Sequence, residues 1–206
     1  MKVAAVTITY DRLDLTKKTV ESFNSKTSVD YHLFIDNGST DGTIDWLKDY
    51  NHILLDKNYG IAYAFKNAVR QLKGYDYILK LDNDIETVTD DIIAKMIRFH
   101  ELNGNNFVCS PVDLNLDPKF APATLGPREG VNLKGFNARF VTHTGGAFQL
   151  IPYSICERLC SEYHHLKAGD WMIGKYYNRH QYKPTYLTDL QMKHIGLNQS
   201  SKNYIL

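Results

Sequence analysis

The feature that most constrains this chain is an alternation of short apolar runs with segments of helical spacing. Val3–Thr9 is apolar and β-branched between polar residues, which predicts a buried strand. Leu15–Phe23 has helical spacing with Asp14 placed to cap it. Tyr31–Ile35 predicts a second strand, and Thr43–Tyr50 a short helix for which Ser39, Thr40 and Asp41 are all suitable caps. His52–Leu55 predicts a third strand, Ile61–Leu72 a helix stopped by Gly74, and Tyr77–Leu81 a fourth strand. An amphipathic helix opens at Thr89, runs to about Leu102 and stops near Gly104, and Phe107–Val112 predicts a fifth strand. Strands and helices in this rhythm build βαβ units and a mostly parallel sheet.

The second half is less regular. Residues 113–139 read as loop, with Pro118, Pro122 and Pro127 among them. Phe140–Leu150 reads as a strand broken by Gly145-Gly146, Pro152–Tyr163 and Trp171–Gln181 as helices, and Thr185–Met192 as a last strand. The expected class is α/β, a mixed, mostly parallel sheet flanked by helices in a single domain over residues 1–206. A chain of 206 residues can bury a full core without disulfides. Cys109, Cys156 and Cys160 are too few and too irregular for a disulfide framework.

Charge and hydropathy exclude some functions. A net charge of +1 argues against a globally basic nucleic-acid binder. No apolar run approaches a membrane span, and Met1–Arg12 is too short and too polar for a secretory signal, so the cytoplasm is the expected location. The sequons at Asn37-Gly38-Ser39 and Asn198-Gln199-Ser200 then read as chance.

In open parallel sheets ligands bind beyond the carboxyl ends of the strands. Thr9-Tyr10, Asp36 and Asp82-Asn83-Asp84 all lie at such ends and should converge. Asp82-Asn83-Asp84 is the only Asp-x-Asp in the chain. Two carboxylates so spaced can both reach a hard divalent cation and its diphosphate, although Asp also serves loop turns and helix caps. Within Asp36-Asn37-Gly38-Ser39-Thr40-Asp41, a strand-end carboxylate can accept the imide N–H of a uracil, and the glycine permits close backbone approach. The same run also serves as a strand-to-helix turn.

Taken together and in order, these segments resemble family 2 glycosyltransferases, which have a Rossmann-like GT-A fold. The matching features are Thr9-Tyr10-Asp11-Arg12, Asp36 to Asp41, Asn58-Tyr59-Gly60 with Asn67, and Leu81-Asp82-Asn83-Asp84. Gly145-Gly146, Gly169-Asp170-Trp171 and Lys193-His194-Ile195-Gly196 follow, so the resemblance spans roughly residues 3 to 196. It implies a nucleotide-binding half, about 1–112, and an acceptor-binding half, about 113–206. It also implies inverting transfer of a sugar from a nucleoside diphosphate to a hydroxyl acceptor with a divalent cation, Mn²⁺ or Mg²⁺.

The resemblance assigns roles residue by residue. Thr9, Tyr10 and Arg12 line the nucleoside pocket, and Asp36 reads the base, which favours a UDP-sugar. Asn58, Gly60, Lys66 and Asn83 join the nucleotide-sugar contacts. Asp82 touches the ribose or the metal, Asp84 binds the metal, and His194 completes its shell. Gly145-Gly146 lies beside the transferred sugar or acceptor, and Asp170 is the general base. Two departures stand out: Gly169 replaces the usual Glu, and Lys66 the usual Arg, whose fork grips phosphate in two places. The acceptor classes are a glycan, a lipid-linked sugar or a hydroxymethylated DNA base. The last is suggested by the aromatic and basic run from Lys175 to Lys183.

Two rival functions stay open at this level. A non-catalytic nucleotide-sugar-binding module would keep Asp36 and Asp84 but need no base at Asp170. A sugar-nucleotide pyrophosphorylase would need a glycine-rich phosphate loop after the first strand, and Thr9–Arg12 contains no glycine. A rival metal site at Cys156, Cys160, His164 and His165 fails on length. On one helix Cys156 and His164 lie about 12 Å apart along the axis, whereas zinc bonds are about 2.0–2.3 Å long. The thiols are expected to be buried instead.

Overall fold

The computed structural model describes residues 1–115, 130–162 and 176–196. The first half follows the predicted alternation: β1 Val3–Thr9, α1 Leu13–Lys26, β2 Tyr31–Asp36, α2 Thr43–Leu47, β3 Asn51–Leu54, α3 Ile61–Gln71 and β4 Tyr77–Leu81. There follow β5 Ile85–Thr87, α4 Ile92–Asn103, β6 Phe107–Asp113, β7 Val131–Leu133, β8 Phe136–Phe140, β9 Phe148–Pro152, α5 Tyr153–Glu162 and β10 Lys183–His194. All ten strands join one sheet in the order β3-β2-β1-β4-β9-β6-β10-β8-β7, with β5 on β10. β3, β2, β1 and β4 run parallel, as does β10 on β6. β9 is antiparallel to both β4 and β6 and so makes the sheet mixed.

Alternation along the strands divides the core. On one face Val3, Ala5, Tyr77, Leu79 and Leu81 pack with Phe23 of α1 and with Ile92, Met96 and Phe99 of α4. On the other, Ala4, Val6, Leu33, Ile35 and Ile78 pack with Ala64, Phe65 and Ala68 of α3 and Ile155, Cys156 and Leu159 of α5. Cys156 and Cys160 are therefore core residues; burial pushes the first thiol well up and the second to about 11. His164 and His165 lie outside the described residues.

Where strands were not foreseen, pairing creates them, with a distant segment for β5 and β8 and within a hairpin for β7. β5 exists because Ile85, Glu86 and Thr87 meet His194, Lys193 and Met192. Thr89, expected to open α4, instead accepts the Gln191 amide at 2.8 Å, and the helix begins at Ile92. Within the expected loop over 113–139, β7 and β8 form a hairpin whose two turn residues, Lys134 and Gly135, both have positive φ (50° and 92°). That is the geometry a two-residue hairpin turn demands. The single strand expected over Phe140–Leu150 is two strands, β8 and β9, separated by residues 141–147. Of the helix expected over Trp171–Gln181, residues 171–175 lie outside the described set and 176–179 are helical.

The cap of α1 also differs from expectation. Asp14 lies inside the first turn, and the Leu13 amide donates to Asp41 Oδ2 at 2.8 Å. Asp41 Oδ1 accepts the Thr43 amide at 3.1 Å and the Thr43 hydroxyl at 2.5 Å, so one carboxylate caps both α1 and α2. What desolvation Asp41 suffers pushes its carboxyl up, but the Thr43 hydroxyl and the backbone amides outweigh it and hold the group below its ordinary 3.8. A lost cap costs about 0.5–2 kcal/mol, so Asp41→Ala, which removes two, should destabilise by about 1–3 kcal/mol in urea melts at pH 7. Because the folded-state value is depressed, this contribution is complete above the ordinary value and lost as pH falls through the depressed one. The gap between wild type and variant should therefore close in acid.

Candidate active site

The site is built at the carboxyl ends of β1, β2 and β4, where register sets Thr9 beside Asp36. Two loops leave there and are laced together. The Asp11 amide donates to Ser39 Oγ at 3.0 Å, while Asp11 Oδ1 accepts the Thr40 amide at 2.6 Å. Asp11 takes a φ of 47°, a left-handed conformation that Asp tolerates better than most residues. Tyr10 beside it is exposed.

Asp36 is fully buried. Its Oδ2 accepts the amides of Gly38 at 3.0 Å and Ser39 at 2.8 Å, which turns the chain back over the strand end. Its Oδ1 is buried with no partner among the described residues. Gly38 is obligatory: its φ is 86°, and a Cβ there would come within 2.6 Å of Lys57 Cα. Asn37, which sequence reasoning gave no role, secures the neighbouring loop. Its amide donates to Asn58 Oδ1 at 2.8 Å and its carbonyl accepts the Tyr59 amide at 3.0 Å. Asn58 Oδ1 also accepts the Gly60 amide at 2.9 Å, so the Asn58-Tyr59-Gly60 segment stands against the Asp36 turn. Among the described residues no hydrogen bond joins Lys66 to this cluster; its charge acts instead on Cys160 of α5.

The three residues of Asp82-Asn83-Asp84 do different things. Asn83 is buried, and its amide donates to Thr9 Oγ1 and Thr16 Oγ1, each at 3.2 Å. Those two hydroxyls are 3.0 Å apart. Thr9 and Asn83, expected among the nucleotide contacts, thus commit their side chains to each other and form the floor that holds β4 to β1 and α1. Asp82 Oδ1 takes the Lys80 ammonium at 2.5 Å, and the same ammonium donates to the Gly146 carbonyl. Gly145 is fixed by its amide, which donates to Tyr186 Oη at 3.0 Å.

Asp84 draws the ends of the chain together. Its Oδ2 lies 2.7 Å from Arg12 Nη1 and 3.1 Å from His194 Nε2. Its carbonyl accepts the Ile195 amide at 2.8 Å. Burial pushes the Asp84 carboxyl up, but the His194 hydrogen bond and charge and the Arg12 guanidinium outweigh it and hold the group below its ordinary value. Burial lowers His194 in turn, and the Asp84 acceptor and charge more than offset this, leaving it above 6.5. Among the described residues no three His, Cys, Asp or Glu side chains form a metal cluster. Asp84 and His194 nevertheless fit a hard divalent ion as a partial shell. Such ions are held by one or two protein groups and complete their shell with water and substrate phosphate. Two cationic or protonatable nitrogens already meet the one buried oxygen, marking it as a place where positive charge is favoured. Asp170 lies outside the described residues.

A sequence model of glycosyl transferase family 2 matches residues 4–150. The mannosyltransferase PcManGT from Pyrobaculum calidifontis, in complex with GDP-Man and Mn²⁺, aligns with a TM-score of 0.73 at 15% identity, covering 96% of this chain and 58% of that one. GalNAc-T7 with UDP, GalNAc and Mn²⁺ aligns with a TM-score of 0.72 at 11% identity, over 94% and 43%. S. aureus TarS 1-349 in complex with UDP-GlcNAc aligns with a TM-score of 0.70 at 15% identity, over 100% and 62%. The chain thus spans between 43% and 62% of the length of these structures, which share its GT-A fold. No curated protein matches the chain. Among the described residues no helix is long and apolar enough to cross a membrane.

Gly196, seen in the sequence only as the end of a motif, acquires a reason. A Cβ there would overlap Asp84 Oδ2 and come within 2.7 Å of Asp84 Cβ. Gly196→Ala should force the strand end away from Asp84. Overpacking of this kind costs about 1–3 kcal/mol, which urea melts would read.

Proposed function

The chain belongs to glycosyl transferase family 2, and from that premise we propose that it moves a sugar from uridine diphosphate onto a hydroxyl acceptor with inversion at the anomeric carbon. The observation that carries the donor assignment is Asp36. One carboxylate oxygen is satisfied by backbone amides and the other is buried with no partner among the described residues. A buried acceptor left unsatisfied is costly, so this oxygen calls for a donor from outside the chain. The single imide N–H of uracil supplies one. Guanine would present two adjacent donors to one available oxygen and leave the second unmatched.

The neighbouring groups suit the diphosphate. Asp84 and His194 would hold Mn²⁺ or Mg²⁺, which when bound stabilises negative charge on the departing diphosphate. Arg12 lies within reach of the same place, and its planar fork can take two phosphate oxygens. Asp82 contributes an acceptor for the ribose, and Gly145-Gly146 a close-approach wall beside the sugar. Asp170 is assigned as the base from its position before Trp171. It takes the proton of the acceptor hydroxyl as that oxygen bonds to the anomeric carbon and the bond to the diphosphate oxygen breaks.

UDP should raise the melting temperature more than GDP or ADP at equal concentration with Mn²⁺ present, since a ligand of the native state stabilises by mass action. Asp36→Ala should erase that preference; a wild type that binds GDP best would sink the uracil assignment.

A panel of labelled UDP-sugars tests the activity itself. Transfer, or slow hydrolysis where no acceptor is supplied, should stop in EDTA and return with Mn²⁺ or Mg²⁺. Asp170→Asn keeps the capping ability of Asp, so the variant should fold and bind UDP yet lose transfer by about 10²-fold or more. Binding of UDP with neither transfer nor hydrolysis would leave a non-catalytic module.

A further inference from the structure

β4 is an apolar strand except for the Tyr77 hydroxyl and one charged side chain, Lys80, which is only 5% exposed. An ammonium is removed from water only where it is paired and hydrogen-bonded. Lys80 meets both conditions, and its partners come from two separate parts of the site. Its Nζ lies 2.5 Å from Asp82 Oδ1 and also donates to the Gly146 carbonyl. The contacts span β4 and β9 just beyond the point where their ladder closes: Leu81 pairs with Phe148, and the Asp82 amide donates to the Ala147 carbonyl at 2.8 Å. The Lys80 side chain is 6% exposed and that of Asp82 31%, so the ammonium lies beneath and the carboxylate emerges above it.

We infer that Lys80 is a positioning residue that holds the Asp82 carboxylate in one orientation, so that it accepts a hydrogen bond from a ribose hydroxyl of the donor. The inference rests on the nucleoside diphosphate reading of the site. A carboxylate already fixed loses less freedom when the ligand arrives. The second bond, to Gly146, couples that orientation to the Gly145-Gly146 segment, so the ribose contact and the sugar-side wall are set by one buried ammonium. A methionine in its place would fill the same space without charge or donors.

The test is calorimetric titration of UDP, 2′-deoxy-UDP and 3′-deoxy-UDP into the whole chain with Mn²⁺ held constant. Wild type should prefer UDP over at least one deoxy analogue by about tenfold or more, the scale of a charge-assisted hydrogen bond. In Lys80→Met and in Asp82→Asn that preference should shrink below about threefold. In the double variant it should fall no further, the non-additive result expected of two residues acting as a unit. A Lys80→Met protein that keeps the wild-type ribose preference, or two substitutions whose effects add, would overturn the inference. Should Lys80→Met fail to fold, Lys80→Gln keeps a donor for Gly146 and removes the charge from Asp82, and it is read in the same way. Wild type that binds UDP without ribose preference refutes the role of Lys80 alone. Wild type that binds no UDP removes the donor assignment and this inference together.

Discussion

Asp84 carries a carboxylate almost wholly removed from water, and Arg12 and His194 meet it there from the two ends of the described chain. A buried carboxylate is tolerable only if its charge is answered locally, and here the answer comes from segments 72 and 110 residues away in sequence. That demand explains several features at once. β10 runs on past its pairing with β6 to bring His194 up, β5 forms because that extension offers it an edge, and Gly196 must be glycine to fit against the carboxylate. Arg12 is presented because the first turn of α1 is fixed by Thr16, whose hydroxyl donates to the Arg12 carbonyl at 2.9 Å.

What could be read in the sequence was whatever depends on local pattern. The runs Val3–Thr9, Tyr31–Ile35 and Tyr77–Leu81 announce themselves because parallel strands buried on both faces are apolar throughout. Their polar endings, Thr9, Asp36 and Asp82, mark the edge that carries the candidate site by the same logic. β5 and β8 were invisible because each is short and owes its existence to a distant partner, β10, and β7 because it is short and pairs only with β8. The Lys134-Gly135 turn lacks the Asn-Gly signature by which such hairpins are found. Phe140–Leu150 misled because the loop over 141–147 contains enough β-branched residues to continue a strand pattern, although the Gly145 amide serves Tyr186 and the Gly146 carbonyl serves Lys80 rather than a ladder.

Candidate site residues could be named from the sequence, but not their division of labour. Asp-x-Asp suggests two equivalent ligands. In the fold, Asp82 is tied to Lys80, Asn83 is a buried clasp, and only Asp84 shares its oxygen with Arg12 and His194. Thr9 likewise reads as a pocket residue, yet its hydroxyl lies under the loop. The one available signal for Lys80 was in plain view, a charged residue inside an otherwise apolar strand run. A lysine there contradicts the local pattern, and such contradictions collect at functional sites.

The charges at this edge close on themselves before any ligand arrives. Asp82 faces Lys80, and Asp84 faces Arg12 and His194. Of these three carboxylates, only Asp36 has a buried oxygen with no partner among the described residues. On the proposed reading, such an arrangement would make ligand binding an exchange rather than an addition. A diphosphate entering beside Arg12 would compete with Asp84 for the guanidinium, and every phosphate oxygen that won would leave Asp84 with less positive charge at its buried oxygen. The carboxylate would then favour a cation more strongly than before, and a cation at Asp84 would in turn release Arg12 to the phosphate. Nucleotide and divalent ion would thereby be linked through one side chain, and thermodynamic linkage requires any such coupling to be equal in both directions.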